Sequence, residues 1–312
     1  MKIKILLLAS ITFCMAIIFN ACKKDNSAAS SLTTQTTQLT TQAADQAQVS
    51  TEVDAVNNDA DASLESSTAF SGRGQQVQGL ICDATVVIDT TSNPRTITIT
   101  YNGTNCLNNR TRTGVVIISI PQGIHWKDAG AAVTFTFQNL KITRLLDNKS
   151  ITINGSQTYT NVSGGLLINL ATLGTITHTI TSSGMAITFD NGSQRSWQVA
   201  KQRVFTYNNG VVITTTGTYS NGTTSGISEW GINRYGNAFT TAITQPMVIR
   251  QDCSFRITSG QVVHTRPADT STVTFGLDAT GNPTSCPGTG SYYMKIVWVG
   301  SGGLSHTVIL PY

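Results

Sequence analysis

The sequence predicts an all-β fold from about residue 71 to the C-terminus: a large antiparallel meander, closed either as an open half-barrel or as a sandwich. Three observations carry this. Threonine and apolar residues alternate in short runs, as in RTITITY (95–101), AVTFTF (132–137), VVITTTGTY (211–219), STVTFGL (271–277) and MKIVWV (294–299). A period of two gives each strand one apolar and one polar face, as in antiparallel sheets with a solvated side. Asn-Gly, the strongest short hairpin signal, recurs at 102–103, 154–155, 191–192, 209–210 and 221–222. No amphipathic pattern of three helical turns follows residue 70.

Three segments follow one another along the chain: 1–21, 22–70 and 71–312. Lys2 and Lys4 precede the apolar run ILLLASITFCMAIIF, which is too short to span a bilayer comfortably and reads as a secretory signal peptide. Ala21 then precedes Cys22, the residue expected to carry lipid. This arrangement resembles the lipobox of bacterial lipoproteins, with Phe19 and Asn20 where that box usually carries Leu and a small residue. Each buried methylene contributes roughly 0.8 kcal/mol, and two or more acyl chains hold a protein stably in a membrane. Lys23 in place of an aspartate argues against retention in the inner membrane, and the triplet KKD resembles the short charged signal that sends Bacteroidota lipoproteins to the outer surface; the resemblance implies an outer-membrane lipoprotein exposed at the surface rather than facing the periplasm.

Residues 27–50, SAASSLTTQTTQLTTQAADQAQVS, carry little charge and few apolar groups, so they are expected to be a flexible leash. The acidic stretch TEVDAVNNDADASLESS follows, with Val53, Val56 and Ala60 at helical spacing. A stripe this thin supports a short helix or a disordered linker. Charge divides at the same place. Residues 23–70 hold 2 Lys against 7 acids, and the chain beyond residue 70 holds 16 Lys and Arg against 9 acids. A mildly basic β-body favours anionic partners such as lipopolysaccharide or acidic glycans. The basic residues form no run, and no nucleic-acid-binding module is present.

Four cysteines remain once Cys14 leaves with the signal and Cys22 is lipidated: Cys82, Cys106, Cys253 and Cys286. CDATVVIDTTSNPRTITITYNGTNC and CSFRITSGQVVHTRPADTSTVTFGLDATGNPTSC echo one another: a cysteine strand, a turn, a Thr-rich strand and a loop cysteine. Of three possible connectivities, this echo favours Cys82–Cys106 and Cys253–Cys286. Such loops contribute roughly 3–4 kcal/mol in the chain-entropy model. Four buried free thiols are the alternative. No C-x-x-C and no paired histidines are present, so no metal or other cofactor is expected.

The order of motifs resembles a family of uncharacterised Bacteroidota lipoproteins. It is carried by TITITYNGTNCLNNRTRTG (96–114), FQNL (137–140), ITINGSQTYTN (151–161), RSW (195–197) and ITQPMVIRQDC (243–253), and spans most of residues 80–290. The resemblance implies the lipid anchor and the β-body, and brings no activity with it.

Catalytic chemistry finds little support. The body holds His125, His178, His264, His306 and a single glutamate, Glu229. None of these histidines is spaced for metal ligation or beside a carboxylate at strand spacing, and no nucleophile elbow or phosphate loop occurs. The chain is therefore expected not to be an enzyme. The best candidate contact site is PQGIHWKDAG (121–130), expected as a hairpin loop at the sheet's edge. There Trp126, flanked by His125 and Lys127, offers a ring face and polar neighbours to a sugar. The competing expectation is that Trp126 folds back over a sheet end. Trp197 and Trp298 lie within strands and belong to the core, whereas Trp230 fits either role. Two functions follow: a surface binding or adhesion module, or a periplasmic lipid carrier or envelope scaffold. The ligand and the oligomeric state are left open by the sequence.

Overall fold

Forty-one consecutive residues without a glycine or proline, Asn26–Ser66, form one helix, α1, in the computed structural model of the chain. The structure describes residues 26–71, 81–286, 290–299 and 303–312, so the signal segment and Cys22 lie outside the described residues. At 1.5 Å per residue, α1 is roughly 60 Å long. This corrects the expectation of a flexible leash. The segment contains the good helix formers Ala, Gln, Leu and Glu and no breaker. Leu39, Ala43, Val49, Val53, Val56, Ala60 and Leu64 recur at intervals of three, four and six residues, and all are buried. The short turn α2, Thr68–Ser71, completes the helical segment and buries Phe70.

Fourteen strands follow among the described residues: β1 Ala84–Asp89, β2 Arg95–Thr104, β3 Arg110–Ile120, β4 Ala131–Arg144, β5 Ser150–Asn161, β6 Thr175–Phe189 and β7 Gln194–Tyr207. The second half comprises β8 Val211–Gly217, β9 Ile227–Ile232, β10 Ala238–Arg250, β11 Arg256–Arg266, β12 Asp269–Leu277, β13 Tyr293–Val299 and β14 Ser305–Pro311. They form a single antiparallel meander, which bears out the all-β expectation and excludes the two-sheet sandwich. The lane between β7 and β10 is shared. One stretch is filled by β8 and another by β9, each pairing with both neighbours.

The alternation read in the sequence sets the faces. Ile97, Ile99 and Tyr101 of β2, Val116, Ile118 and Ile120 of β3, and Val133, Phe135 and Phe137 of β4 are buried between more exposed threonines and other residues. The residues from Val49 to Leu64 join these in one apolar cluster with strands β2–β7, whereas Leu39, Ala43 and Ala47 pack with β11–β13. The sheet thus curls around the helix. Asp45 through Val49 are all buried, and five consecutive positions cover more than one full helical turn.

Asn-Gly marks hairpins at 191–192 and 209–210, but 102–103 and 154–155 lie inside β2 and β5. At Gly155 the ladder shifts register, φ is +116°, and an added Cβ would lie 2.8 Å from the Met185 Cα. This glycine serves close strand approach at a bulge rather than a turn. The echo-based cysteine pairs are both brought to disulfide distance, with Cα–Cα separations of 5.2 Å for Cys82–Cys106 and for Cys253–Cys286.

Candidate functional site: the enclosed helix and the pocket beside it

The loop 121–130 connects β3 to β4 in the body of the strand order, not at its edge. Of the two expectations for Trp126, an exposed contact face and a side chain folded back over a sheet end, burial favours the second: it is fully buried. Its backbone N–H donates to the Phe70 carbonyl at 2.7 Å, its backbone carbonyl accepts from Asn161 Nδ2 at 2.8 Å, and its ring meets His178 edge-on. The indole belongs to the same apolar cluster as Phe70 of the helical segment. Lys127 is exposed and His125 half-exposed, so the three residues do not form a joint aromatic platform. Trp197 and Trp298 are buried as expected, and Trp230, half-buried, stacks on Tyr219 at 4.3 Å.

The polar groups that do converge lie on the inner face of the sheet. Glu229 of β9 is buried, and Lys201 Nζ of β7 lies 2.5 Å from its Oε1. Ser50 Oγ of α1 donates to the same oxygen at 3.1 Å, while Oε2 accepts from Trp197 Nε1 at 2.7 Å and from Gln46 Nε2. Arg195 lies 3.5 Å away and also donates to Gln46. Burial alone would raise the Glu229 pKa, but Lys201 and Arg195 outweigh it and hold the carboxyl at about 2. The carboxylate is fully engaged, so this network clasps α1 to the sheet rather than presenting a free acid or base. Beside it, Thr241 Oγ1 lies 2.9 Å from Nδ1 of His264, and burial depresses that imidazole to about 4.

Register explains why sequence spacing hid these groups. Glu229 pairs with Thr241 across β9–β10, and Thr241 pairs with His264 across β10–β11. The three share one face, although 35 residues separate the first from the last. The basic residues, scattered along the chain, behave likewise. Arg112 forms two hydrogen bonds to Asp83 (2.7 and 2.6 Å) and one to Asp59 of α1 (2.6 Å). Arg234 grips Asp45 through two bonds of 2.7 and 2.6 Å, and Arg110 pairs with Glu52. The signal available in the sequence was the opposed charge of its two parts.

Further along α1, Arg203 of β7 lies 2.6 Å from Asp54, a contact of charge without hydrogen-bond alignment. His178, its partner across β6–β7, is wedged between Trp126 and Phe205 and kept neutral by burial, its pKa depressed to about 3. Two turns on, Asp61 is 3% exposed and its Oδ1 has no hydrogen-bond partner among the described residues. Burial raises its pKa to about 7 against the opposing charge of Arg203.

Asp61 lines a pocket of about 310 Å³ between α1 and strands β7–β8. Phe205, Val211 and Ile213 supply the sheet wall, Ala62 and Glu65 the helix wall, and Ile168 and Phe255 the partly exposed rim. Glu65 is occupied: its carboxylate accepts the backbone N–H groups of Leu167 (2.5 Å) and Ile168 (3.2 Å). Phe255 holds a left-handed φ of +54°, directly after Ser254 at +58°. A bulky residue there is strained by about 1–3 kcal/mol, a cost associated with ligand sites. No family model matches the chain, and neither a curated protein nor a solved structure matches it.

Proposed function

We propose that this chain is a non-catalytic binding protein of the bacterial outer membrane, anchored by lipid at Cys22, that holds a small apolar or amphipathic molecule in the pocket between α1 and β7–β8. The observation that carries the reading is the pocket itself: about 310 Å³, apolar on its sheet side, rimmed by Ile168 at 61% and Phe255 at 44% exposure. Its size is at the lower end of ligand sites, and at about 30 Å³ per heavy atom, as for bulk water, it takes a ligand of roughly ten heavy atoms. This favours a carrier over an adhesin, because the Trp126 indole that an adhesin would present is folded into the core.

Calorimetric titration of the chain from Lys23 onward with octanol tests it. That chain carries every described residue and no lipid. Saturable binding in the micromolar range is expected, and Ala62→Trp, which fills the pocket from the helix side, should abolish it without lowering the melting temperature. Equal binding by the variant would refute the assignment. Protease treatment of intact cells then reports orientation: digestion of the β-body places it on the outer surface, and survival until the outer membrane is opened places it in the periplasm.

A further inference from the structure

We propose that the pocket selects molecules with a cationic amine head, the ammonium donating to Asp61 and the hydrocarbon lying on Phe205 and Ile213. This rests on the pocket being a binding site. Every charged side chain that lines the pocket is acidic, namely Asp61 and Glu65, and no Lys, Arg or His lines it. Glu65 is spent on two backbone N–H groups, so Asp61 is the group left to meet a ligand. Its carboxyl is buried with an unpartnered oxygen, which costs free energy until a donor reaches it. The nearest opposing cation is Arg203, and its charge is matched by Asp54 at 2.6 Å. The two further acids leave the pocket wall net negative. An alkyl carboxylate would place like charge against Asp61 and Glu65, whereas an ammonium forms a charge-assisted bond with the unpartnered carboxylate oxygen of Asp61.

Octylamine, octanol and octanoate share one chain length and differ in the head alone. Titrated calorimetrically into the chain from Lys23 onward at pH 8, where both Asp61 and the amine are ionised, octylamine should bind at least about tenfold more tightly than octanol, as a hydrogen bond to a charged group implies. Octanoate should bind more weakly than octanol. Asp61→Asn should bring amine and alcohol within about twofold of each other while octanol affinity stays unchanged, and Ala62→Trp should remove binding of all three. Equal affinities for the three heads, or a preference for octanoate, overturns the head-group inference and leaves the pocket standing. An amine preference that survives Asp61→Asn also overturns it. Failure of all three ligands to bind overturns the pocket reading itself.

Discussion

Replacing Leu64 with alanine separates a helix that belongs to the core from a tether that merely precedes it. Leu64 is 0% exposed and belongs to the apolar cluster that joins α1 to strands β2–β7. The substitution removes three carbons. At about 0.8 kcal/mol per methylene the transfer part is roughly 2.4 kcal/mol. A cavity left between a rigid helix and the sheet adds to this, and buried Leu→Ala changes span about 2–5 kcal/mol. Near 3 kcal/mol is expected, which for a urea slope of about 3 kcal/mol per molar moves the unfolding midpoint down by about 1 M. Ala44 is exposed on the same helix and provides the control: Ala44→Gln should stay within about 0.5 kcal/mol of the parent. Equilibrium urea unfolding followed by tryptophan fluorescence reads both, since Trp126 lies in the same cluster as Leu64. If Leu64→Ala unfolds with its control, within 0.5 kcal/mol of the parent, the helix contributes nothing to the core and the reasoning fails.

Three other expectations follow from the buried charges. Glu229→Ala leaves Lys201 and Arg195 without their shared carboxylate, and should cost about 3–5 kcal/mol in urea unfolding; a loss below 1 kcal/mol would mean that the cations find other partners. Arg112→Met strands Asp83, whose side chain is wholly covered, and should destabilise by a similar ~3–5 kcal/mol. Adding Asp59→Asn and Asp83→Asn should restore much of that loss, and a triple variant no better than the single would refute the pairing. Stability should vary little between pH 4 and 6.5, because opposing groups titrate there. Asp45 and Asp61, raised to about 6 and about 7, favour folding in acid and lose that contribution as pH rises above 4. His178 and His264, depressed to about 3 and about 4, favour folding above 6.5 and lose that contribution as pH falls. Asp61→Asn removes one of the groups that favour acid, so its melting temperature relative to the parent should climb between pH 4 and 8. A pH-independent difference would argue against a buried, poorly paired Asp61.

The β-body was legible because its rule is local. Period-two alternation in RTITITY or MKIVWV states which residues face inward, and the structure buries Ile97, Ile99, Ile296 and Trp298 accordingly. The cysteine pairs were legible from the internal echo. The helix was legible only in part: Val53, Val56 and Ala60 stand at helical spacing, but many of its inward positions are polar. Gln42, Asp45, Gln46, Gln48 and Glu52 look solvated in sequence, and several are buried against partners about 190 residues away, such as Gln42 on Asn233 and Asp45 on Arg234. No local window contains both halves of such a pair. Trp126 was left between two readings for a related reason: whether a loop indole faces water depends on Phe70 and His178, which only the fold brings near it. The pocket was equally hidden, since Asp61, Phe205 and Ile213 come from three separate elements.

The enclosed helix also fixes an order of events in the life of the chain. Residues 26–66 are made first, yet their partners come late: Gln46 meets Glu229 across 183 positions, and Asp45 meets Arg234 across 189. During synthesis the helix has no sheet to enter, and the sheet, once made, has no interior without the helix. Contacts this distant in sequence form slowly, because loop closure precedes any gain from them. The unfinished chain is therefore a half-filled trough with a loose acidic strap: β9 and the turn after it deliver Glu229 and Arg234, and the partners of Leu39, Ala43 and Ala47 come later still, on β11–β13.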